Sequence, residues 1–115
     1  MLVVTSRIEV RPTARRELAQ ALLQWVNTVR RVNDTAAHLY EDQEPPHAFC
    51  VVSTWPTAEA LARHLAAPEF GSLVGAVELL ASDSTVLIAE ARNGVPGLPE
   101  LRRLCVSGPP ASHDQ

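Results

Sequence analysis

Residues 2–10, Leu-Val-Val-Thr-Ser-Arg-Ile-Glu-Val, alternate in the two-residue period of a half-buried strand. Leu2, Val4, Ile8 and Val10 share one face with Ser6, while Thr5, Arg7 and Glu9 take the other. Ser6 is a lone hydroxyl in an apolar row, either a satisfied core serine or a polar group aimed at a ligand. From Pro12 onward the period changes. Leu18, Leu22, Trp25, Val29 and Val32 recur at three- and four-residue steps, an amphipathic helix of about four to five turns opened by Pro12 and capped or led in by Thr13. Asn33-Asp34 ends it.

Two further strands are expected over residues 37–42 and 47–55, joined by Gln43-Glu44-Pro45-Pro46 as an antiparallel hairpin. Thr57 follows Pro56 as the N-cap of a second helix, with Glu59 in the first turn where a carboxylate complements the helix dipole. Leu61 and Leu65 mark the buried face of that helix, and His64 borders it. Pro68 restarts the helix, and Phe70, Leu73, Val77 and Leu80 continue an apolar stripe. Residues 83–92, centred on Thr85-Val86-Leu87-Ile88, read as the last strand.

A βαββαβ order in a chain of 115 residues most economically forms a four-stranded antiparallel sheet with both helices on one face, the ferredoxin-like α+β arrangement. Helices then cover one side of the sheet only, yet the last two strands carry apolar residues on both faces. An uncovered apolar face invites a partner, so a homodimer is expected. Residues 1–93 form the domain, and 94–115 form a proline- and glycine-rich tail in which residues 98–106 can make two turns with Leu101 and Leu104 inward.

Composition narrows the chemistry. A net charge of -3 and 4% aromatic residues leave neither a basic face nor a stacking platform for nucleic acid. No apolar run approaches the ~20 residues of a membrane span, and Arg7 and Glu9 interrupt any signal-peptide core. Cys50 and Cys105 lie far apart without metal spacing, as expected of free thiols in a reducing cytoplasm. No His/Cys/carboxylate cluster has metal-ligand spacing and no glycine-rich phosphate loop is present, so no cofactor is expected.

Arg11-Pro12 after the first strand, Tyr40 in the second, Trp55 closing the third, Glu59-Ala60-Leu61 leading to His64-Leu65, and the restart through Pro68-Glu69-Phe70 together resemble the antibiotic biosynthesis monooxygenase domain family. The resemblance covers roughly residues 2–92 and implies a dimeric α+β barrel. It also implies oxidation of phenols, anthrones or quinols by molecular oxygen without flavin, haem or metal. Triplet oxygen reacts poorly with closed-shell molecules, so the enzyme must make its substrate electron-rich by removing a proton. That chemistry needs a base, a donor for the oxyanion and a dry, aromatic-lined cavity.

The resemblance makes His64 the first candidate base; the alternative is a helix-surface histidine that only packs. His38 and Tyr40, two apart on one strand, point to one side of the sheet and are candidate base and donor, or interface residues. Trp25 and Trp55 can frame a flat substrate and donate their indole N–H groups, or simply pack. Ser6 can steady an oxyanion. Ser53 stands where members often have glutamate and Thr13 where they often have glycine. Ser6, His64 and Val74 replace the asparagine, tryptophan and histidine of the haem-degrading branch, which argues against haem degradation. The readings that follow are a cofactor-independent monooxygenase acting on an aromatic polyketide-like, phenolic or quinol substrate, a non-oxidative cyclase or isomerase on the same barrel, and a non-catalytic ligand-binding dimer.

Overall fold

The computed structural model describes residues 1–31, 35–91, 99 and 102–104. Strands β1 (Leu2–Val10), β2 (Ala36–Glu41), β3 (Ala48–Trp55) and β4 (Ala81–Glu90) form one sheet in the order β2-β3-β1-β4, antiparallel throughout. This is the ferredoxin-like topology that the alternation of elements implies. The hairpin between β2 and β3 is closed by a hydrogen bond from Asp42 N to Ala48 O. Its loop contains a cis peptide bond between Pro45 and Pro46. The register slips between Glu9 and Val10 where β1 meets the start of β4, a bulge of the kind that bends a strand at its end.

A short 3-10 turn, Pro12–Ala14, leads into helix α1 (Arg15–Arg30). Thr13 does not cap this helix. The Ala14 N–H is already taken by Arg11 O at 2.9 Å, so the backbone turn itself satisfies a donor that a side-chain cap would otherwise serve. Leu18, Leu22, Val26 and Val29 are the buried stripe of α1. Val26 takes the inward place expected of Trp25, which is turned partly out of the core. The expected end of the helix at Val32, Asn33 and Asp34 lies outside the described residues.

Thr57 caps helix α2 (Ala58–Leu65) as its sequence position requires, its Oγ1 accepting from Ala60 N at 3.1 Å. Leu61 is buried beneath α2, but Leu65 is 43% exposed, contrary to the expected pair. Leu65 faces an open space between α2 and the sheet rather than packed side chains. Helix α3 (Pro68–Leu80) opens on proline and runs into β4 without an intervening loop. None of its residues is fully buried.

The core lies between α1 and the sheet. Leu18, Leu22, Val26 and Val29 interlock with Ile8, Phe49, Val51 and Trp55. α1 packs on β2 and β3 and against α3. On the other face of the sheet Arg7 donates to Glu9 Oε2 at 2.7 Å and to Asp42 Oδ2 at 3.1 Å, and no element covers it among the described residues. Of the tail, Leu101 lies outside the described residues and Leu104 is exposed rather than turned inward.

Leu22 has no exposed surface, so Leu22→Ala should destabilise the protein by ~2–5 kcal/mol. Leu79→Ala, at an exposed place on α3, should stay within about 0.5 kcal/mol of wild type. Urea unfolding of both variants measures the contrast, which checks that α1 carries the core.

Candidate active site

Two rows of side chains on the helix-facing side of the sheet make the floor of a cavity of about 200 Å³. Across the strands one row is Val51, Ser6, Val86 and the next is Ser53, Val4, Ile88. The strand period alone puts these six on one side. Helix α2 lies above them. Thr57 fixes its start and Leu61 anchors it, so that His64, one turn further on, falls on the same lower side. Trp25 of α1 and Phe70 of α3 close the roof. On β4 the cavity opens outward: Val86 and Ile88 line it yet remain 63% and 54% exposed.

His64 sits in an aromatic cage. Its ring centroid is 4.9 Å from that of Trp55, 5.3 Å from Trp25 and 6.2 Å from Phe70, and Phe70 in turn lies 6.4 Å from Trp25. The chain has two tryptophans, two phenylalanines and one tyrosine, and three of these surround a single imidazole. Burial among these rings disfavours the charged form and pushes the His64 pKa below its ordinary value, an effect only partly opposed by the Glu69 carboxylate. The ring is therefore neutral at pH 7, the state in which a histidine can accept a proton.

Two nitrogens in this cage, His64 Nε2 and Trp25 Nε1, are buried and have no hydrogen-bond partner. The indole N–H can only donate; Nε2 of a neutral imidazole with its proton on Nδ1 can accept. Leaving such groups unpaired costs about 1–3 kcal/mol each. Trp55 is different. Its Nε1 donates to Ser53 Oγ at 3.0 Å, both residues being buried. The expected role of Trp55 as a donor to substrate is thus corrected: the N–H is spent inside the protein and only the ring reaches the cavity. Ser53, having accepted that bond, keeps its own hydroxyl proton to donate. With Ser6 it supplies the polar points of an otherwise apolar floor.

The antibiotic biosynthesis monooxygenase family model matches residues 1–76. The chain belongs to the antibiotic biosynthesis monooxygenase family. Solved structures share its fold. A candidate antibiotic biosynthesis monooxygenase from Deinococcus radiodurans is 20% identical with a TM-score of 0.78, over 84% of this chain and 97% of that one. A second antibiotic biosynthesis monooxygenase is 27% identical with a TM-score of 0.73, over 81% of this chain and the whole of that one. SnoaB, a cofactor-independent oxygenase from Streptomyces nogalater, is 20% identical with a TM-score of 0.71, over 83% of this chain and 96% of that one. The curated proteins offer no sequence match.

In this family member the candidate residues divide between the two faces of the sheet. Ser6, Trp25, Trp55 and His64 meet in the cavity. His38 and Tyr40 do not. Their strand positions pair with Val52 and Cys50, which places them on the opposite face, and Tyr40 is 55% exposed. His38 Nδ1 stands 3.3 Å from Arg30 Nη2, which can only donate, so that nitrogen is an acceptor occupied by the guanidinium. Neither residue can serve a substrate held beneath α2. Ser53 and Phe70 were missed as cavity residues: Ser53 carries the signal that marks Ser6, a lone hydroxyl in the apolar row Phe49, Val51, Trp55, whereas an aromatic in a helical stripe carries none. Cys50 is a free cysteine on the far face. Among the described residues no group of three His, Cys, Asp or Glu side chains could hold a metal ion, and no helix is long and apolar enough to cross a membrane.

The lowered pKa of His64 has a measurable sign. The unfolded chain binds a proton at His64 near pH 6.5, the folded chain only at lower pH. This contribution to stability is fully present above pH 6.5 and is lost as pH falls toward the folded-state pKa. NMR titration of the His64 ring protons should show a midpoint below 6.5, and His64→Gln should flatten the slope of stability against pH in that window.

Proposed function

We propose that this protein is a cofactor-independent monooxygenase that oxidises a phenolic, quinol or aromatic polyketide-like substrate with molecular oxygen. The observation that carries the reading is the pair of buried, unpartnered nitrogens, one acceptor and one donor, in an apolar aromatic cavity. A ring hydroxyl lying between them loses its proton to His64 Nε2, and the oxyanion that forms is held by Trp25 N–H. The Ser6 and Ser53 hydroxyls hold a second oxygen of the substrate from the floor. The electron-rich anion then reduces oxygen directly. The substrate supplies all four electrons: RH2 + O2 gives R=O + H2O, with one oxygen atom in each product. Apolar walls keep water away from the carbanion-like centre and strengthen every charge interaction in the site. The cofactor-independent oxygenase among the structural relatives is in keeping with this reading; fold likeness alone would not distinguish it from a cyclase on the same scaffold.

Oxygen uptake with a panel of hydroquinones and anthrones tests the reaction. Turnover with stoichiometric oxygen consumption is the expected result, and product formed without it would assign the site to proton-transfer chemistry. His64→Ala should lower kcat by ~10²–10⁴, the range of general-base assistance. Because the base must be neutral, activity should be level around pH 7 and fall only as pH drops through the lowered pKa of His64.

We infer also that the protein works as a homodimer. On the face without helices, Val52 and Leu87 flank Thr5, and Val3 lies beside Ala89. Leu87 is 66% exposed, and on the other side of the same strand Val86 and Ile88 are exposed too. A strand bare on both sides at the sheet edge is an aggregation hazard unless it is covered, and a second copy offers a matching apolar sheet face. Sedimentation at micromolar concentration should give about twice 12.5 kDa, and Leu87→Asp should shift it to the monomer. A wild-type protein that sediments as a well-folded monomer would exclude the barrel.

A further inference from the structure

A second space of about 370 Å³ lies between α1 and α3, a groove whose polar lining is Gln24, Thr28, Glu69 and Ser72. Trp25 lines both spaces, and no other residue of either wall does so. Its indole is braced by His64 at 5.3 Å and Phe70 at 6.4 Å. The two spaces differ in chemistry: the cavity is almost wholly apolar, whereas the groove mixes hydroxyl, amide and carboxylate groups with the apolar side chains of Ala21, Leu73 and Ala76.

We infer that Trp25 is the partition that sets substrate length, confining the buried part of the substrate to one or two fused rings and separating it from a groove that could hold a longer molecule. The inference rests on the reading of the cavity as an aromatic substrate site. A dry apolar cavity of ~150 Å³ takes up one benzene, so the 200 Å³ here holds one ring fully and a second along Val86 and Ile88. A third linear ring meets Trp25 at one end or projects past β4 into solvent at the other. In either direction it gains no buried contact. With Trp25 cut back, the cavity joins the groove and a third ring is buried between α1 and α3, its polar substituents facing Gln24, Thr28 and Ser72.

Calorimetric affinities for 1-naphthol and 1-hydroxyanthracene, which differ by one fused ring, test this under argon, where binding is read without turnover. Wild type should bind the two within about threefold. Trp25→Ala should favour the three-ring compound by at least about tenfold relative to wild type, the scale on which hydrophobic pockets discriminate. Trp25→Phe keeps the wall but loses the N–H, and should leave the ratio unchanged while weakening both compounds. Trp25→Leu, shorter than the indole but still apolar, carries the same expectation as alanine and replaces it should that variant not fold. An unchanged ratio in the shortened variant would overturn the role of Trp25, as would a wild type that already prefers three rings. Oxygen uptake is a separate measurement, so a site that binds both compounds and consumes no oxygen would sink the oxygenase reading while the ratio still decides the partition.

Discussion

The structure depends on burial of one side of the sheet beneath a single helix. The stripe Leu18, Leu22, Val26 and Val29 has no exposed surface, and it seats α1 on the β2 and β3 side. At ~25 cal/mol per Å² of apolar surface, a contact of this kind is the main favourable term available to a domain this size. α2 packs on β3 and α3 packs on α1 and α2, and neither closes down on β4. The cavity lies in that gap: its floor is strand, its roof is Trp25 of α1 with the end of α2 and the start of α3, and its open side is β4.

Within that cavity the polar groups are handled in two ways. The buried indole of Trp55 is satisfied internally by Ser53 at 3.0 Å, which fixes the ring as a wall. The indole of Trp25 and the imidazole of His64 are left unsatisfied. A stable core pairs its polar atoms wherever it can, and these two unpaired nitrogens belong to residues that both line the cavity. The same aromatic rings that desolvate His64 also keep it neutral, so a single packing arrangement supplies both the dry walls and the usable base.

Family membership explains the scaffold and stops short of the substrate. Structures 20–27% identical to this chain share its sheet and helices, because binary patterning and volume, rather than particular residues, determine such a fold. The chemistry of the site lies in a few side chains of the cavity. Ser53 is one: a short hydroxyl in a buried strand position holds Trp55 without introducing a charge. Trp25 is another, standing between two spaces of unlike chemistry.

Element type and order were legible from the sequence because periods of two and of three to four residues report local geometry directly. β1 was bounded exactly, Thr57 was recognised as a cap, and the ferredoxin-like order followed. Local pattern failed where several solutions satisfy the same backbone group, as at Thr13, where a 3-10 turn did the work of a cap. It failed again where burial depends on whether the space beneath a helix is filled, as at Leu65. The site was half legible. His64, Ser6, Trp25 and Trp55 could be marked as chemistry-bearing residues, but so could His38 and Tyr40, since alternation assigns residues to opposite faces without saying which face a helix covers. Only the packing of α1 and α2 on one side separated the two sets. Only the tertiary structure, likewise, gave Trp55 a partner and left Trp25 without one, because a hydrogen bond between buried side chains depends on distances that no spacing in the chain encodes.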